Sequence, residues 1–116
     1  MNEVSEADLL GVARAAYGRH AWSEAYRLLR EADSASELTA GDLEALAKSA
    51  WWLGHAEESI ANRERAYARY VEGGDRARAA LMALTLRREY GAKLAGSVAQ
   101  GWLHRAEQLL ERQPES

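Results

Sequence analysis

Few side chains in this 116-residue sequence could bind a metal ion or act as a nucleophile, because it contains three histidines and no cysteine. His20 and His55 lie at two separate predicted helix turns. His104 lies three residues before Glu107, a spacing that places both side chains on one helix face. A zinc site would need further ligands from other helices. The histidines are therefore predicted to be solvated or to cap helices, and no metal is expected.

The carboxylates could do acid–base chemistry, but they are mixed with arginines at helical spacing. The residues concerned are Glu57, Glu58, Arg63, Glu64, Arg65 and Arg69. Such alternation is typical of a solvated helix face, whereas a general acid and base need a water-poor pocket that separates their pKa values. No nucleophile motif, Gly-rich phosphate loop or dinucleotide fingerprint occurs. The sequence predicts a protein without catalytic residues or a cofactor.

The net charge and the hydropathy of the sequence limit the classes of partner that the protein is expected to bind. Fifteen Lys and Arg against eighteen Asp and Glu give a formal net charge of -3, so the chain lacks the overall basic field that favours nucleic acid. Residues 1–8 show no secretory signal pattern, and no apolar run approaches the roughly 18 residues that span a bilayer. We expect a cytoplasmic protein that binds neither nucleic acid nor membrane.

The elements that must position any site are predicted to be helices. Pro114 is the only proline, and Ala, Leu, Glu and Arg, all strong helix formers, are plentiful. Ser5 with Asp8, and Thr39 with Asp42, are helix-start signals. The expected helices span 5–17, 22–32, 43–53, 56–72 and 76–94, followed by a sixth helix after Gly96 and Ser97, with a linker at 33–37. The fold class is all-α.

The same pattern recurs after 34 residues. Leu9, Val12, Ala13, Ala16, Ala25 and Ala32 are followed at that interval by Leu43, Leu46, Ala47, Ala50, Ser59 and Ala66. This period is typical of stacked helical hairpins. A third repeat is longer, since Ala66 and Ala106 are 40 residues apart. We expect one domain over 1–116 with repeats at about 5–36, 39–73 and 75–112.

These positions resemble the tetratricopeptide repeat, whose two antiparallel helices carry large and small residues at fixed places. Ala13 with Ala25, and Ala47 with Ser59, would be the close helix contacts. Arg63 stands where the family prefers a large apolar residue. The resemblance implies three hairpins stacked as a short right-handed α-solenoid with a concave groove.

In this repeat class the first helix of each hairpin lines the groove. The resemblance therefore implies a basic, aromatic groove that binds a peptide or partner protein, lined by Arg14, Tyr17, Lys48, Trp51, Trp52, Arg87 and Arg88. Adjacent helix residues point about 100° apart, so which of Trp51 and Trp52 faces the groove is left open. The alternative from another class is a domain that senses a small molecule in the groove.

A narrower resemblance concerns the phrases at 50–54, 63–67, 74–76 and 101–107. They are similar to helical-repeat segments of LuxR-type transcriptional regulators from actinobacteria. The resemblance implies a sensory or interaction segment of a bacterial signalling or transcription regulator, or an adaptor to one. The helix-turn-helix and the phosphate loop of such proteins are not found in the sequence.

The last predicted helix carries an apolar stripe formed by Trp102, Leu103, Leu109 and Leu110. The final helix of a stack needs a polar outer face unless something covers it. Three alternatives are open: a following repeat, a second copy in a homodimer, or packing onto the fourth and fifth helices.

Overall fold

The computed structural model describes residues 6–92 and 96–111, and the elements in these ranges are six helices. They are α1 (Glu6–Gly18), α2 (Trp22–Ala35), α3 (Ala40–Trp52), α4 (Ala56–Glu72), α5 (Arg76–Ala92) and α6 (Gly96–Glu111). The all-α prediction is confirmed. Within these residues, no helix combines the length and the apolar character that crossing a membrane requires.

The helix bounds follow local signals, and the prediction is wrong by three residues at two of them: the start of α3, expected at Leu43 and found at Ala40, and the end of α2. The expected bounds of α4 are confirmed, and Thr39 caps α3 as expected, accepting a hydrogen bond from the Asp42 amide at 3.2 Å. The linker predicted at 33–37 begins three residues too early, because α2 continues to Ala35 and only 36–37 of that stretch lie outside the helices. No glycine or proline interrupts this stretch, so the helical hydrogen bonds continue. Ser5 and Leu94 lie outside the described residues.

Three helices end in the same backbone motif, in which one residue adopts a left-handed conformation. That residue is His20 after α1, Gly54 after α3 and Gly74 after α4, with φ of 61°, 83° and 78°. In each case the next amide bonds back to a carbonyl five residues earlier, at 2.8 to 2.9 Å. This is a Schellman motif, which satisfies helix-end carbonyls and favours glycine. His20 and Gly54 are separated by the 34-residue interval of the repeat.

The contacts within the chain divide it into two compact units. The first unit is Met1–Ser59, in which α1 packs on α2 and both contact α3. Its buried side chains include alanines on all three helices and leucines on α2 and α3: Ala13, Ala16, Ala25, Leu29, Ala32, Leu43, Leu46 and Ala50. Alanines at these positions let neighbouring helices approach closely.

The second unit is Ile60–Ser116, which holds the rest of α4 together with α5 and α6. The α5 and α6 helices pack on each other. The unit's core contains Ile60, Ala83, Leu86, Trp102 and Ala106, with the half-buried rings of Tyr67 and Tyr90 against it. Large rings from α4 and α6 therefore fill the space that alanines leave on α5. How the hairpins stack along the whole chain stays a prediction.

Candidate functional site

Aromatic rings gather at one end of the first unit, around Trp22. The ring of His20 stacks on Trp22 at 5.0 Å between centroids, and the ring of Trp52 stacks at 5.8 Å. Tyr17 meets Trp22 edge-on at 5.7 Å, and the ammonium of Lys48 lies 5.9 Å from the centre of the same ring. We call these five residues the aromatic surface.

The ends of three helices position the aromatic surface. Tyr17 lies in the last turn of α1, His20 in the turn that follows, and Trp22 is the first residue of α2. Lys48 and Trp52 are four residues apart on α3, which brings them to one face of that helix. Because the rings stack at interplanar angles of 12° and 10°, each ring limits the rotamers of its neighbours.

His20 is the residue of the aromatic surface whose backbone is strained. Its φ of 61° lies in the left-handed region, where Gly54 and Gly74 occupy the other two helix ends of this kind. A side chain in this conformation costs roughly 1 to 3 kcal/mol. Here the side chain is an exposed imidazole stacked on Trp22. His20, the residue with the strained backbone, therefore contributes a ring to the aromatic surface.

The aromatic surface remains accessible at its edges. Trp52 is 59% exposed, Lys48 and His20 are also exposed, and Tyr17 and Trp22 are half-buried. Large aromatic rings exposed in a fixed arrangement are a feature of binding sites, because they offer rigid apolar area together with polar edges. The arrangement can hold an apolar or aromatic group against the rings and an anionic group near Lys48.

Of the residues predicted to line the groove, the structure brings Tyr17, Lys48 and Trp52 together. Trp51, the neighbour of Trp52, is 42% exposed. Arg87 and Arg88 are exposed on α5 in the second unit. Their place in a common groove stays a prediction.

Arg14 is the remaining predicted groove residue, and its guanidinium fork is occupied. Its Nε and Nη2 donate to the two carboxylate oxygens of Asp42 at 2.9 and 2.7 Å. The hydroxyl of Thr39 donates to the same carboxylate at 3.0 Å. The hydrogen bond from Arg14 lowers the pKa of Asp42 below its ordinary value, while burial opposes the shift. Arg14 thus ties α1 to the start of α3.

Sequence reasoning missed His20 and Trp22 as site residues. Trp22 shares the helical spacing of the apolar residues of α2, a pattern that gives no sign of a binding role, and its ring is half-buried. The signal that could have found both is the density of rings around one turn, with Tyr17, His20 and Trp22 within six residues.

The two turn histidines, His20 and His55, pack on rings of the following or neighbouring helix. His55 stacks on Tyr26 at 5.1 Å, and the Tyr26 hydroxyl donates to Glu58 at 2.7 Å. Burial, together with that hydrogen bond, raises the pKa of Tyr26.

Within residues 6–92 and 96–111, no three His, Asp or Glu side chains are grouped as metal ligands would be.

The four residues of the predicted apolar stripe on α6 differ in how deeply they are buried. Trp102 is 7% exposed and packs edge-on against Tyr67 of α4 at 4.9 Å. For Trp102 the alternative of a face open to another copy or repeat is wrong, because its ring lies in the core with residues of α4 and α5. Leu103 and Leu109 are half-buried. Leu110 is 49% exposed, and its role as a contact face stays a prediction.

A buried ion pair in the second unit also corrects the sequence analysis. Arg63, predicted on a solvated face, donates from Nε to Glu89 at 2.8 Å, and the two side chains are 8% and 2% exposed. One residue further along each helix, the Tyr90 hydroxyl donates to Glu64 at 2.7 Å. Burial and that hydrogen bond raise the pKa of Tyr90 to about 12. These contacts join α4 to α5.

Comparison with known proteins finds neither a family model that matches the chain nor a curated protein that is significantly similar to it. The resemblances to the tetratricopeptide repeat and to LuxR-type regulators therefore stay predictions. The geometry of the aromatic surface is therefore the main evidence for function.

Proposed function

We propose that the chain is a non-catalytic interaction module and that its aromatic surface binds a peptide segment of a partner protein. The observation that carries this proposal is Trp52, whose ring is 59% exposed and yet held parallel to Trp22. Trp is among the residue types that dominate binding energy at protein interfaces.

The fixed arrangement of the rings favours binding. A side chain that loses its rotamer freedom on binding costs about 0.5 to 1.5 kcal/mol. The stack of His20, Trp22 and Trp52 already restricts these rotamers in the free protein, so less of that cost falls on the binding step. The rings are thus preorganised for a flat or apolar group.

The charge at the aromatic surface indicates the type of peptide. Lys48 holds its ammonium near Trp22, and an exposed cation beside aromatic rings suits a carboxylate next to an apolar side chain. The expected motif is therefore an aromatic residue or a proline with an Asp or Glu close by. The wider setting, a regulator or adaptor in bacterial signalling, rests on the sequence resemblance.

The strain at His20 supports the same proposal. Glycine serves at the equivalent helix ends after α3 and α4 without a Cβ penalty. Strained residues cluster at sites where a particular side chain is needed. Contact between the imidazole and the bound peptide would explain why this position holds a histidine and not a glycine.

The test compares the two adjacent tryptophans. Peptides selected from a random display library on the wild-type protein are measured by calorimetry against Trp52→Ala, with Trp51→Ala as the matched control. We expect Trp52→Ala to weaken binding by about 30-fold, the loss typical of a hot spot, and Trp51→Ala to change it by less than about threefold.

A second variant separates binding from folding. His20→Gly removes a ring of the aromatic surface and relaxes the left-handed backbone, so it should weaken binding without loss of helicity or thermal stability. Equal losses of affinity in Trp51→Ala and Trp52→Ala, or selected peptides that bind all these variants equally well, would contradict the proposal.

A further inference from the structure

A second candidate site lies in the second unit and does not involve the aromatic surface. It is a cleft of about 380 Å³, counting the part open to solvent, lined by Tyr67 of α4, Arg76 of α5, and Arg105, Gln108 and Leu109 of α6. Three helices thus contribute to one cleft with two arginines and no carboxylate in its lining.

Neither arginine of the cleft has a carboxylate partner among residues 6–92 and 96–111. The carboxylate nearest in sequence to Arg76 is Asp75, which accepts a hydrogen bond from the Arg78 amide. By contrast, the guanidinium groups of Arg14, Arg19 and Arg63 are each paired with Asp or Glu. The two positive charges of the cleft are therefore available to a ligand.

The surroundings orient both arginines. The guanidinium of Arg105 lies 4.5 Å from the centre of the buried Trp102 ring, a stacking that leaves its N–H edge for hydrogen bonds. Arg76 is the first residue of α5, where the positive end of the helix dipole adds to its own charge. Both features favour an anion.

We propose that this cleft binds the phosphate group of a phosphate monoester. Such a group carries about -1.5 to -2 charges at neutral pH and three acceptor oxygens, which matches two arginines, whereas one carboxylate would leave a positive charge unmatched. The Tyr67 hydroxyl and the Gln108 amide can donate further hydrogen bonds. Leu109 and the Tyr67 ring offer apolar surface to the rest of the ester.

The proposal is tested by calorimetric titration of the full chain with phenyl phosphate, and with sulfate and benzoate for comparison. We expect saturable binding of phenyl phosphate with a dissociation constant below about 1 mM. Benzoate and sulfate should bind at least about tenfold more weakly, since they lack either the second charge or the ester's apolar group.

Two further probes distinguish the source of the monoester. Tighter binding of an acetylated Gly-phosphoserine-Gly amide than of glycerol 3-phosphate assigns the cleft to a phosphorylated protein, and the reverse order assigns it to a small phosphorylated metabolite. Either order supports the monoester site. Failure of both probes and of phenyl phosphate to saturate by about 10 mM overturns it.

Matched variants locate the binding. Arg76→Gln and Arg105→Gln should each weaken phenyl phosphate binding by about tenfold or more, and Arg105→Lys, which keeps the charge but not the planar fork, by less than Arg105→Gln. Arg27→Gln, an exposed arginine of α2 outside the cleft, should change binding by less than about twofold. Circular dichroism checks that each variant is folded. An equal loss in Arg27→Gln and Arg105→Gln overturns the proposal.

Discussion

At the scale of single residues, Asp42 connects the start of one helix to the side of another. It lies in the first turn of α3, where its amide donates to Thr39 and its carboxylate accepts from both Thr39 and Arg14. A negative charge in the first turn also complements the helix dipole. Because Asp42 is 5% exposed, these partners replace the water that an exposed carboxylate would have.

This environment makes the contribution of Asp42 to stability dependent on pH. Its pKa is lower in the folded protein than in the unfolded chain, so the stabilisation is present above the ordinary Asp value of about 3.9 and is lost as the pH falls through the folded value. We expect Asp42→Asn to lower the free energy of unfolding at pH 7 by about 1 to 3 kcal/mol, and by progressively less as the pH falls below about 3.9.

Urea unfolding of the two proteins at several pH values measures the difference. Glu31→Gln is the control, because Glu31 is an exposed carboxylate on α2 and its removal should have little effect at any pH. A difference between wild type and Asp42→Asn that stays constant from pH 7 to pH 2 would contradict the assigned role of the carboxylate.

At the scale of helices and turns, the predictable part of the fold is the part that local residues determine. Glycines border α4 on both sides, at Gly54 and at Gly73–Gly74, and its bounds are confirmed. The left-handed turn at His20 could have been predicted from the 34-residue repeat, since Gly54 occupies the equivalent place. The end of α2 was predicted three residues too early, because polar residues alone do not stop a helix.

The contacts between α4 and α5 could not be predicted in this way. Arg63 and Glu89 are 26 residues apart, and each belongs to a run of charged residues that resembles an exposed face. Which charged residues of α4 and α5 become buried depends on how the two helices pack against each other. The same holds for Trp22, whose partners Lys48 and Trp52 come from a helix beyond its own.

The buried pair provides a test of how α4 and α5 are joined. Removing one partner takes the opposite charge away from the other, which stays buried, so Arg63→Met and Glu89→Leu should each lower the free energy of unfolding by about 3 to 5 kcal/mol. The double variant should lose far less than the sum, since a pair of apolar residues can replace a buried ion pair. The Arg63→Met substitution also places an apolar side chain where the tetratricopeptide repeat, which the sequence resembles, prefers one.

A double-mutant cycle with chemical denaturation checks this coupling. The control is Arg88→Met on α5, an exposed position where we expect a change within about 0.5 kcal/mol. Losses that simply add in the double variant would show that Arg63 and Glu89 stabilise the second unit independently of each other.

At the scale of the whole molecule, the two compact units carry different surfaces. The first unit carries the aromatic surface, with stacked rings and Lys48, and the second carries a cleft with two arginines. Three of the seven residues predicted for a groove, Tyr17, Lys48 and Trp52, meet at the aromatic surface. The sequence therefore brought forward three of the five residues of the aromatic surface and missed His20 and Trp22.

The four tryptophans allow the central proposal to be tested in one spectrum. Their indole N–H groups give four resonances in a ¹H–¹⁵N correlation experiment, and single Trp→Phe variants assign them to Trp22, Trp51, Trp52 and Trp102. The selected peptide is then titrated into the wild-type protein. We predict that the Trp22 and Trp52 resonances shift in a saturable manner while that of Trp102, buried in the second unit, does not. Saturable binding that leaves Trp22 and Trp52 unmoved would contradict the account.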